Sequence, residues 1–139
     1  MTRRAAVLLL AALAPAPAAA ETHVLQCPVV APREWRLPPP ATLAGIDILS
    51  LPKGETIDEA APPALVPDTE DVRGRVLHQS WRMNADGPGW SFFIDCRYAG
   101  SARILRFEGW GLRRCDYYVA PYTAARPIQA GAVHKLVCD

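Results

Sequence analysis

Little in this chain of 139 residues points to catalysis or to a membrane. Beyond Leu13 no apolar run approaches the roughly 20 residues that a spanning helix needs. No Cys-x-x-Cys pair and no Cys/His group with ligand spacing occurs, which argues against zinc. Gly109-Trp110-Gly111 lacks the lysine and the strand–loop–helix setting of a phosphate loop. None of the histidines, His23, His78 and His134, has a serine or cysteine nucleophile at a recognisable spacing. Glu55, Asp58 and Glu59 form a carboxylate group, but no apolar pocket is in evidence to raise a pKa, so they read as a solvated face. The formal charge of +1 lacks the basic excess of a nucleic-acid binder. The sequence thus implies no metal, no cofactor and no catalytic residue.

The first twenty residues read as a signal peptide rather than as structure. Arg3 and Arg4 form a charged region, Ala5 to Leu13 an apolar region, and Ala18-Ala19-Ala20 a cleavage site before Glu21. Gln26 before Cys27 is too large for a lipid-attachment site, so no lipid anchor is expected. The remaining stretch, 21–139, is the length of one domain with a modest core. Its charge is uneven. Residues 21–71 carry nine acids against three bases, and residues 72–139 carry ten bases against five acids. The simplest reading is internal, with the acidic half lying against the basic half.

Four cysteines remain, Cys27, Cys96, Cys115 and Cys138, an even number in a chain marked for export. That pattern predicts a disulfide framework. Strand patterning says which pairs form. From Trp90 every second residue is apolar or a thiol (Trp90, Phe92, Ile94, Cys96, Tyr98), the alternation of a half-buried strand. A turn at Gly100-Ser101, suited to type II′, sets Cys96 opposite Leu105 and Ile94 opposite Phe107. The same register places Asp95 opposite Arg106 on the outer face, an exposed pair worth about 0.2–1 kcal/mol.

Further strands are predicted at 22–26, 43–51, 75–83, 102–108, 112–119 and 132–138, with one short helix at 56–61 capped by Thr56 and Glu59. The dense turn signal at 84–89 predicts a hairpin with Met83 opposite Trp90 and Trp81 opposite Phe92. The expected fold is mainly β: a five-stranded antiparallel meander or partly open small barrel. It is covered by an irregular, proline-rich N-terminal half (21–71) with at most that one short helix. In such a meander Cys96 and Cys115 flank an intervening strand, about 9–10 Å apart, beyond the roughly 7 Å limit for a disulfide. Cys115 and Cys138 lie on consecutive strands, and pairing them sets Tyr117 opposite Leu136 and Val119 opposite His134. The expected disulfides are therefore Cys27–Cys96 and Cys115–Cys138.

Taken together, several motifs carry a resemblance. Cys27-Pro28, Leu65-Val66-Pro67-Asp68, Ser80-Trp81, Cys96-Arg97-Tyr98, Arg114-Cys115 and Val137-Cys138 look like a family of small exported proteins of Gram-negative bacteria. The resemblance implies a periplasmic address, paired cysteines and no assigned enzymatic activity. Some family members sit near type VI secretion genes, which favours an immunity or accessory role.

The residues themselves single out Trp110, between two glycines in a predicted loop, with Arg113 and Arg114 beside it. Tryptophan and arginine are enriched in interface hot spots. The expected function is that of a periplasmic, non-enzymatic binding protein that occupies a protein partner, with Trp110, Arg113 and Arg114 in the contact. Two other classes predict different features. A hydrolase would need a pocket holding His134 or His78 beside a carboxylate. A structural envelope protein would need neither pocket nor exposed patch.

Overall fold

The computed structural model describes residues 24–83, 89–109, 111–125 and 131–139. The expected signal peptide, the expected turn at 84–88, Trp110 and residues 126–130 lie outside the described residues. Eight strands form among the described residues: β1 (Leu25–Gln26), β2 (Leu43–Pro52), β3 (Thr69–Arg73), β4 (Val76–Arg82), β5 (Trp90–Tyr98), β6 (Ile104–Glu108), β7 (Arg114–Ala120) and β8 (Val133–Cys138). No α-helix occurs among the described residues. Residues 56–61, the expected helix, run as irregular chain with a turn at 59–60, and the one helical piece among the described residues is a 3-10 turn at Arg33–Trp35.

The fold is mainly β, as the alternation implies, but it is neither a single meander nor a closed barrel. A five-stranded sheet in the order β1-β8-β7-β4-β3 faces a three-stranded sheet in the order β2-β5-β6. All pairings are antiparallel. Ile46, Ile48, Ile94 and Tyr98 from the small sheet share one core with Leu77, Trp81, Tyr117, Val119 and Leu136 from the large one. The two inner faces thus interdigitate as in a sandwich.

The β4–β5 hairpin does not form. Trp81 lies opposite Cys115 rather than Phe92, because β4 pairs with β7 and the chain crosses between sheets before β5. Met83, Trp81 and Phe92 all point at the same core. Inward parity therefore suits both arrangements. The N-terminal half is also less irregular than expected, since it supplies β1, β2 and β3. The sequence reading missed β3 because all five of its residues are exposed, so it shows no apolar alternation. Its charges, Glu70, Asp71 and Arg73, suit an edge strand that must not recruit another chain.

The β5–β6 register is the expected one: Ile94 opposite Phe107, Asp95 opposite Arg106, Cys96 opposite Leu105. The turn differs by one residue. Ser101 N–H donates to the Tyr98 carbonyl, so Ala99 and Gly100 are the central residues. Gly100 takes φ 76° at the second central position, where positive φ excludes most side chains.

Two disulfides tie the fold, joining Cys27 to Cys96 and Cys115 to Cys138. Their α-carbons are 5.8 Å and 4.0 Å apart. Arg114 and Asp139 exchange backbone hydrogen bonds, which makes Cys115 and Cys138 the adjacent, close pair of the ladder. The first bridge anchors the segment before β2 to the centre of the small sheet. Trp35 then packs edge-on against Tyr98 at 5.7 Å, with the Arg103 guanidinium 4.8 Å from its ring centre. Disulfides of this kind indicate an oxidising, extracytoplasmic setting. No helix among the described residues is long and apolar enough to cross a membrane.

Opposite charge joins the two halves. Arg97 pairs with Asp47, and Arg106 pairs with both Asp95 and Glu59. Here the sequence reading needs correction. Asp95 is not exposed: it keeps 2 % of its accessible surface. The chain between β2 and β3 returns across this face and brings Glu59 to Arg106. Leu49 and Leu51, on the same face as Asp47, are buried as well.

Candidate functional site

Of the three residues singled out for binding, Trp110 lies outside the described residues. Arg113 and Arg114 lie at the start of β7, and both are exposed. The structure adds a third arginine that the sequence reading left out. Met83 N–H donates to the Arg113 carbonyl, so the next pair along, Arg82 and Arg114, is a non-hydrogen-bonded one. Side chains at such pairs stand closest, with α-carbons about 4.5 Å apart. Arg82 and Arg114 thus face each other at one end of the large sheet, with Arg113 the preceding residue of the chain. Like charges directly opposite each other weaken a sheet.

Among the described residues only Arg114 of the three has a side-chain ion pair, while the Asp68 carboxylate accepts the Arg82 backbone N–H. Arg114 donates from Nε to Asp116 Oδ2 at 2.8 Å and from a terminal nitrogen to Oδ1 at 2.9 Å. That bond raises the Arg114 pKa above its ordinary value. Neither Arg82 nor Arg113 has a side-chain hydrogen bond or ion pair among the described residues. The Cys115–Cys138 bridge lies one residue along β7 and fixes the backbone beneath them.

Asp116 also receives the His78 Nε2 proton at 2.7 Å, and the His78 ring stacks on Tyr118 at 4.5 Å. Burial pushes the Asp116 pKa up, but the hydrogen bonds from Arg114 and His78 outweigh it and hold the carboxyl below its ordinary value. This histidine–carboxylate pair sits on the outward face of the sheet. Ser80, the hydroxyl on that face, is buried and bonded to Thr69 at 2.6 Å.

His134 is the opposite case. It points inward, as its parity implies, and keeps 6 % of its surface. It lines a cavity, but its hydrogen-bond partner is the Tyr117 hydroxyl at 2.5 Å from Nδ1, not a carboxylate. The two features a hydrolase would combine, a pocket and a histidine–carboxylate pair, therefore occur at different places. Glu59, from the carboxylate group at 55–59, is held by Arg106, and Asp58 caps the Ala60 N–H. Among the described residues no group of three or more histidine, cysteine, aspartate or glutamate side chains could hold a metal ion.

The buried Tyr117–His134 pair predicts how stability follows pH. Burial lowers the His134 pKa below 6.5, so just below that pH the unfolded chain binds a proton that the folded chain does not. Acid therefore weakens the fold. Burial raises the Tyr117 pKa from 10.0 to about 12, so above pH 10 the folded chain keeps a proton that the unfolded chain loses. Alkali weakens the fold too, by roughly 2–3 kcal/mol in all. Urea midpoints measured from about pH 5 to about pH 11 should fall on both sides. Tyr117→Phe should flatten most of the alkaline limb, with Tyr98, which burial also pushes up, keeping the rest, and an unchanged limb would remove Tyr117 as its cause.

No protein-family model matches the chain, and neither a curated protein nor a solved structure matches it. The functional reading therefore rests on the geometry above.

Proposed function

We propose that this is a non-enzymatic binding protein of the periplasm that occupies a negatively charged site on a protein partner, in the manner of an immunity protein or a cell-wall-hydrolase inhibitor. The observation that carries this reading is the arginine end of the large sheet. Arg82 faces Arg114 across a close pair, with Arg113 next to it in the chain, and among the described residues neither the Arg82 nor the Arg113 side chain has an ion pair. A sheet selected for stability alone would place an acid at one of these positions. Arginine fits carboxylates with a rigid fork of donors and is enriched where partners bind. Trp110, one loop away in sequence, adds the aromatic residue that such surfaces favour. The disulfides support the extracytoplasmic part of the reading.

Affinity purification from an envelope extract tests it. Wild type should capture a partner with an acidic surface, and the Trp110→Ala, Arg113→Ala variant should capture at least about tenfold less, as truncation of hot-spot residues does. Equal capture by both would remove this loop from the contact. Capture of nothing, together with turnover of a peptidoglycan or ester substrate by the purified protein, would replace the binding reading with the hydrolase one.

A further inference from the structure

We propose that the cleft at the other end of the β7–β8 ladder binds a small, uncharged aliphatic molecule through one carbonyl oxygen. This inference is independent of the arginine end. His134 pairs with Val119 while Arg114 neighbours Asp139, so the two places lie at opposite ends of the same two strands.

The cleft opens between the segment leading into β2, the turn after β5 and the start of β8. Its volume of about 340 Å³ falls in the range of ligand pockets, about 300–1,000 Å³. Taken at about 30 Å³ per water molecule, it would hold a ligand of roughly ten non-hydrogen atoms. Val29 and Val133 form an exposed apolar rim, at 62 % and 63 % of their full accessibility. Pro40, Leu43 and Ala99 line the interior. Among the described residues no acid, lysine or arginine lines it.

One polar group is set for a ligand. Among the described residues the Tyr117 hydroxyl has no partner other than His134 Nδ1, so it donates its proton there. The neutral imidazole then carries its own proton on Nε2. That nitrogen has no protein acceptor among the described residues. Yet among the described residues no buried side-chain nitrogen or oxygen is left without a partner, so Nε2 keeps some accessible surface, and the cleft is the cavity that His134 lines. The Tyr117 bond fixes which nitrogen faces outward, as outer partners of a histidine do elsewhere. An imidazole N–H donor amid mainly apolar walls, with Thr42 the other polar side chain of the lining, calls for a ligand with an acceptor oxygen and an aliphatic body. A carboxylate would leave water without a cation to receive it, which is strongly unfavourable. A ketone, ester or amide oxygen fits.

A nuclear magnetic resonance titration of the full oxidised chain with 2-octanone tests this, with octanoate in parallel. The proposal expects saturable shifts at Ala99, Ala132 and Val133, and a shift of the His134 Nε2 nitrogen. Octanoate should give none at the same concentration. His134→Phe keeps the apolar volume and removes the donor, so it should weaken 2-octanone binding between about 2- and 10-fold. Ala132→Leu should fill the cleft and abolish the shifts. Absence of saturable shifts at these residues in the wild type would overturn the site. Tighter binding of octanoate would overturn the uncharged ligand. If His134→Phe does not fold, the Nε2 shift decides the donor's role alone: an unmoved Nε2 under saturating 2-octanone overturns it.

Discussion

Reduction of both disulfides is expected to leave the chain unfolded at about 37 °C. The Cys27–Cys96 bridge spans 69 residues and the Cys115–Cys138 bridge 23. In the chain-entropy account, loops of those lengths stabilise by about 4 and about 3.5 kcal/mol. Their sum is comparable with the whole stability of a domain this size, about 5–15 kcal/mol. The two losses should differ in kind. Without Cys27–Cys96 the segment carrying Trp35 loses its anchor on the small sheet. Without Cys115–Cys138 the strands β7 and β8 keep their ladder but lose the fixed end beneath the arginines. Circular dichroism with and without dithiothreitol measures the effect. A reduced protein that melts within a few degrees of the oxidised one would show that the core, not the bridges, holds the fold.

Arg106→Ala is expected to destabilise by about 3–5 kcal/mol, far more than the loss of a surface ion pair. Arg106 Nε and a terminal nitrogen grip both oxygens of Asp95 at 2.6 and 2.7 Å, and Asp95 is buried. Removing the guanidinium strands that carboxylate away from water. Asp47 stands directly across the ladder from Asp95, so the stranded charge would also face a like one. The double variant Asp95→Leu, Arg106→Leu should be more stable than Arg106→Ala alone, because it removes the buried charge together with its partner. Urea unfolding of the two variants measures this. A loss below about 1 kcal/mol for Arg106→Ala would mean that water reaches Asp95.

What the sequence revealed and what it hid divide along a physical line. Alternation from Trp90 to Tyr98 gave the inward set and, with the following turn, the β5–β6 register to the residue. Register is local, since a slip of one residue would bury the polar set. The inward parity of His134 was legible for the same reason. Which strand lies beside which was not. Trp81 faces the common core whether its neighbour carries Phe92 or Cys115, so the pattern is identical for a hairpin and for a crossover between sheets. That ambiguity hid Arg82. It stood on the outward parity of its strand, but only the β4–β7 pairing sets it against Arg114. The burial of Asp95 was hidden too, because a distant segment covers it. A signal was present in β2. Leu43 to Leu51 is apolar at Ile46 and Ile48 on one face and at Leu49 and Leu51 on the other, the mark of a strand covered on both sides.

The proposal that the arginine end is a recognition surface makes stability and binding move in opposite directions, and Arg82→Glu separates them. Glutamate opposite Arg114 replaces a repulsive cross-strand pair with an attractive one, which should raise stability by about 0.2–1 kcal/mol. The same change places a negative charge where an acidic partner docks. Affinity capture with Arg82→Glu beside wild type, alongside a thermal melt of each, is the direct measurement. The account predicts a variant that melts at or above the wild-type temperature and captures no partner. A folded Arg82→Glu protein that captures the same partner at the wild-type level would contradict it.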